Sequence, residues 1–106
     1  MDAKLSTVVA DLRRGYEQLY GDRLVRLMLF GSQARGDAEP GSDIDVLVVL
    51  KGTVDSYEEI RRTSDFVANL CLEHCEVIAS VFISEDEFLH KQGPLLRNVR
   101  REGVPV

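Results

Sequence analysis

Phe30-Gly31-Ser32-Gln33-Ala34-Arg35-Gly36, continued by Gly41-Ser42-Asp43-Ile44-Asp45-Val46, decides how this chain is read. An apolar run, Leu24 to Phe30, leads into the first piece, and a second run, Val46 to Leu50, leaves the last. A glycine–serine bend thus ends one predicted strand, over about 23–30, and two carboxylates open the next, over about 43–50. Residues two apart in a strand share a face, so Asp43 and Asp45 point the same way, with Cα atoms roughly 7 Å apart. Two such carboxylates repel unless a cation lies between them. Hard oxygen ligands of this kind suit Mg2+, which is held by one or two carboxylates together with substrate phosphates. Gly31 can take a positive φ and admit a close backbone approach. Ser32 offers a hydroxyl and an N–H at the start of a short helix, where anions are favoured. Gly31 and Asp43 are twelve positions apart, too few for a parallel crossover with its helix, so the two strands read as antiparallel neighbours. That pairing would gather Gly31, Ser32, Asp43 and Asp45 around one pocket.

Outward from this stretch, the remaining segments read as helices and one further strand. Leu5, Val8, Val9, Leu12, Tyr16 and Leu19 recur at helical spacing over residues 2–20, with Gly21 as the stop. Residues 32–36 form a short helical turn, and 36–42 an exposed, turn-rich loop. A helix over 55–75 carries Ile60, Val67, Leu70 and Cys71 on its apolar side. A third strand runs from Glu76 to Ile83. Ser84 and Glu87 make a capping box for a helix to about 91, and Gly93-Pro94 breaks the chain before a last helix over about 94–102. In that helix Leu95, Leu96 and Val99 face inward, Arg97, Arg100 and Arg101 suit the dipole at its end, and Gly103 closes it. The fold expected is α/β, a mixed sheet of three or four strands in the order α-β-α-β-α-β-α.

At 106 residues with a formal charge of −5, the chain reads as one domain spanning 1–106. The acidic balance argues against a broad nucleic-acid surface, though not against a nucleotide site in which a metal supplies positive charge. With no apolar run near 20 residues and no signal-peptide pattern, no membrane span is expected and the compartment reads as cytoplasmic. Cys71, His74 and Cys75 share a helix face, but they lack the ligand count of a structural zinc site; buried thiols are the simpler reading.

GSQARG followed by GSDIDVLV resembles the signature of the DNA polymerase β nucleotidyltransferase superfamily, and the whole chain resembles its minimal nucleotidyltransferase branch. The resemblance implies Mg2+-dependent transfer of a nucleoside monophosphate, AMP from ATP, to a hydroxyl, with release of pyrophosphate. Asp43 and Asp45 would hold Mg2+, and Gly31, Ser32, Arg35 and Ser42 would bind the nucleotide. Arg35 has two readings, a triphosphate contact or a pairing with Asp37 or Asp43. Active members place a third acid on the next core strand. Here the only acid in that strand is Glu76, at its very start, so two metal ions are expected if Glu76 takes part and one otherwise. Larger relatives carry a second domain for the acceptor; here the acceptor site would come from another chain. The resemblance points to a HEPN-type partner in a toxin–antitoxin pair, with AMP added to the partner's tyrosine, and leaves a homo-oligomer open. The alternative reading is a catalytically degenerate module that keeps the nucleotide pocket and neutralises its partner by contact.

Overall fold

The computed structural model describes all 106 residues. Helix α1 (Ala3–Tyr20) starts where the Asp2 carboxylate accepts the Leu5 N–H at 2.8 Å and ends at Gly21, whose φ of 52° lies outside the range other residues adopt easily. Strand β1 (Leu24–Phe30) leads into the four-residue helix α2 (Ser32–Arg35), and β2 (Ile44–Leu50) follows. Helix α3 (Ser56–His74) is capped by Asp55 and stops at Cys75 in a left-handed conformation. Then come β3 (Ile78–Ser84), α4 (Glu85–His90), α5 (Pro94–Glu102) and the two-residue β4 (Val104–Pro105).

The sheet order is β3-β2-β1-β4. β1 and β2 are antiparallel, as the short connection requires, with Phe30 opposite Asp45. β2 and β3, joined by α3, are parallel over seven pairs from Ile44↔Ile78 to Leu50↔Ser84. β4 adds an antiparallel edge to β1 at Met28 and Leu29. The sheet is therefore mixed and four-stranded, with β2 buried from Val46 to Leu50 because both its faces are covered.

Alternation along the strands divides the core in two. Val46, Val48, Leu27, Leu29, Ile78 and Phe82 face α1 and α3 and join Leu12 and Tyr16. Leu47, Val49 and Met28 face the other way, against Leu96 and Val99 of α5, with Phe30, Val81, Ile83 and Phe88 around them. Tyr16 is the hub of the first core. It is fully buried, its ring packs edge-on against Phe66 and Phe82, and its hydroxyl lies 2.8 Å from Ser80 Oγ. Burial pushes its pKa up to about 12.

Several apolar assignments change with tertiary packing. Leu19 is exposed and Tyr20 takes its place inside, because Tyr20 continues the buried stripe of Leu12 and Tyr16 at four-residue spacing; a 3-10 turn (Gly21–Arg23) follows. There the Tyr20 hydroxyl donates to Glu59 at 2.7 Å and Arg23 pairs with the same carboxylate at 3.2 Å. That buried acid, not Ile60, faces inward on α3; Ile60 is exposed. Leu95 is exposed where Leu96 and Val99 are not. Cys71 packs against the first core, but Cys75 ends its helix in solvent. The third strand begins at Ile78 rather than Glu76, because Glu76 N–H still closes the end of α3 on the Cys71 carbonyl. Gly103 follows α5 with ordinary extended dihedrals, not left-handed ones, since the chain passes straight into β4.

Candidate active site

Asp45 stands on the second face of the sheet, since its neighbours Ile44 and Val46 both belong to the first core. Asp43, two residues earlier and exposed, lies on the same side, at the point where the loop enters β2. Asp45 is only half-buried, and Val77, just before β3, is exposed. The two carboxylates therefore look onto an open shelf beside Phe30, with Ala79 opposite Asp45 on β3.

The glycine–serine bend closes that shelf. Gly31 has φ 75° and ψ −159°, a conformation nearly closed to side chains. A Cβ built there would meet Asp45 Oδ2 at 2.5 Å. Gly31 thus serves two needs at once, the reversal out of β1 and the approach of backbone to carboxylate. Gly31→Ala is expected to cost about 1–2 kcal/mol for the left-handed backbone and to push the Asp45 carboxylate aside. Thermal unfolding together with nucleotide binding checks this: both should fall, whereas Gly41→Ala, with open space around its Cβ, should lose stability alone.

Burial, and secondarily the charge of Asp43, raise the pKa of Asp45 above the usual carboxylate range. The folded state therefore holds the Asp45 proton more tightly than the unfolded chain does. Its ionised form works against the fold at neutral pH, and this penalty is relieved as pH falls through the folded pKa. Carboxylates kept together at a cost of this kind fit a cation. Their oxygens are hard donors on a rigid strand, and the metal they suit is Mg2+.

The other candidate residues are placed less simply. Ser32 opens α2 at the bend. Ser42 Oγ accepts the Glu39 N–H at 3.1 Å, and the Ser42 carbonyl accepts from Gln33, so this serine holds the loop together. Arg35 pairs with Asp37 and with Glu102, each at 3.1 Å, and not with Asp43. Glu102 escaped the sequence reading. Only the pairing of β4 with β1 brings the end of α5 to α2, and no local pattern signals that contact. Glu76 is not brought to the aspartate pair. It is bound by Lys4 at 3.1 Å and lines a cleft of about 280 Å3 with Asp2, Leu5, Gln33 and Ile44, on the α1 side of the sheet. Elsewhere, donor atoms of Asp11, Glu73 and His74 lie within 4.8 Å of one another. The Asp11 carboxylate there is taken up by Arg14 and by His74 Nε2, which ties α1 to α3. Cys71 and Cys75 are not among the residues of that cluster. No helix is long and apolar enough to cross a membrane.

Comparison with known proteins agrees with this architecture. The nucleotidyltransferase domain model matches residues 9–101. A candidate protein adenylyltransferase of Methanocaldococcus jannaschii is 39% identical over 89 residues, covering 79% of this chain and 79% of that protein. A candidate nucleotidyltransferase from Sulfolobus solfataricus superposes with a TM-score of 0.62 at 20% identity, over 99% of this chain and 86% of the other. A toxin–antitoxin complex solved with AMP-PNP gives 0.61 at 19% identity, over 96% and 68%. The two structural matches speak for the fold alone.

Proposed function

Because the chain belongs to the nucleotidyltransferase domain family, and is thereby a nucleotidyltransferase, we propose that it moves AMP from ATP onto a hydroxyl of a partner protein. The observation that carries this reading is the contact of Gly31 with the Asp45 carboxylate, on the face that Asp43 shares. Asp43 and Asp45 would hold Mg2+, which would supply positive charge to offset that of the triphosphate. Gly31 and Ser32 receive the terminal phosphates at the bend, and Arg35 reaches them by leaving Asp37, its more exposed partner. The hydroxyl oxygen forms a bond to the α-phosphorus, the bond from that phosphorus to the bridging oxygen breaks, and pyrophosphate leaves with those electrons. The hydroxyl proton goes to solvent. This chain contributes chiefly position and fixed charge.

The acceptor comes from a second protein, and the family resemblance points to a HEPN-type partner of a toxin–antitoxin pair, modified on tyrosine. Purified protein incubated with Mg2+, ATP labelled at the α-phosphate and the product of the adjoining gene should label that product. Absence of label while nucleotide binds would overturn transfer. Mg2+ with ATP should also raise the melting temperature, by an amount set by RT ln(1 + [L]/Kd), about 2.7 kcal/mol at a hundredfold excess over Kd. A flat melting temperature across that titration removes the nucleotide site altogether.

A further inference from the structure

Resting on the proposed function, we infer that the aspartate pair is a one-ion site, in which Val77 and Ala79 stand where a second ion's ligand would have to be. Parallel partners point their side chains to the same face, and Asp45 pairs with Ala79, so Ala79 shares the shelf. Val77 lies two residues earlier, its carbonyl accepting the Ile44 N–H at 2.8 Å, and by alternation it stands beside Asp43 on that face. Neighbouring strands are about 4.8 Å apart. A carboxylate at either position would reach an ion about 3.5–4 Å from one held by the aspartates, the separation that two-metal sites use. Both positions are apolar.

Three nearby acids, Glu76, Glu102 and Asp37, are each paired with a basic side chain in this structure. Glu76 is offset by one residue from Val77, and that single step sends it to the opposite face, into the cleft with Leu5 and Ile44, where Lys4 holds it. Glu102 ends α5 just before β4, which pairs with β1 on the edge away from β2, and it is held by Arg35. Asp37 is Arg35's other partner. Val77 is 57% exposed, so the shelf is open at that point and the absence of a ligand there is not forced by packing.

The test counts ions. Mn2+ is titrated by electron paramagnetic resonance into the protein saturated with α,β-methylene ATP, which cannot be cleaved at the reacting bond. The unaltered chain is expected to take up about one Mn2+ per nucleotide, and Val77→Asp and Ala79→Asp about two. Val77→Asp is the safer variant, because its side chain faces water, and circular dichroism reports whether each variant has folded. Glu76→Gln should leave the count at one. Two ions on the unaltered chain, or one ion on both folded aspartate variants, would overturn the inference. No nucleotide-dependent Mn2+ on any chain would instead overturn the proposed function.

Discussion

Asparagine at both Asp43 and Asp45 is expected to abolish AMP transfer while leaving the protein folded. The two carboxylates share the face beside Gly31, and no acid stands opposite Asp45 on β3. Neutral amides there remove the charge that holds the cation, and loss of that stabilisation, worth several kcal/mol, corresponds to a rate drop of about a thousandfold or more. The fold should not suffer. Ionised Asp45 already works against stability at neutral pH, as the upward shift of its pKa by burial and by Asp43 indicates. The double variant should therefore melt no lower than the parent at pH 7. At acidic pH the difference should shrink as Asp45 of the parent takes up its proton. Labelled transfer and thermal unfolding between pH 4 and pH 7 check both halves (about three pH units around the carboxylate range). A double variant that still transfers AMP would remove these residues from the reaction; one that melts well below the parent would make them structural.

The second large effect concerns stability. Tyr16→Ala should destabilise the protein by about 3–5 kcal/mol, the usual cost of deleting a large buried aromatic side chain. Tyr16 has no exposed surface and packs against Phe66, Phe82 and Tyr20, with ring centroids 5.7, 5.9 and 6.2 Å away. Its loss removes the joint where α1, α3 and β3 meet. Small domains have only about 5–15 kcal/mol in total, so the variant should be partly unfolded near 37 °C. Tyr16→Phe keeps the packing and loses only the contact with Ser80, and should cost about 1 kcal/mol. Urea unfolding of the pair separates the two contributions. Equal losses would mean that the hydroxyl, not the ring, carries the site.

The two predictions sit on opposite faces of one sheet, and this division was half legible beforehand. Alternate residues of β2 must part to opposite sides, which is enough to put Asp43 and Asp45 together and to send Val46 and Val48 into the core. The short link between Gly31 and Asp43 was enough to make β1 and β2 antiparallel. Helix positions were harder. Leu19 and Tyr20 are one residue apart, as are Glu59 and Ile60, and the choice within each pair depends on how the helix is rotated against the sheet. Buried Glu59 is acceptable because Tyr20 and Arg23 meet its carboxylate from other elements and Arg62 pairs with it from its own helix.

Local chemistry, then, is enough to specify the strand with its two acids, the bend at Gly31, the caps of the helices and the hand each residue shows along a strand, because all of these depend on neighbours within a few positions. The long-range pairings are of another kind. That Arg35 meets Glu102, that Lys4 holds Glu76, and that Ala79 lies across from Asp45 follow from strand order and register, which bring together groups dozens of residues apart. Such contacts have no sequence period, since the chain between them can vary without changing the partners. For this protein they decide which side chains share a face with Asp45.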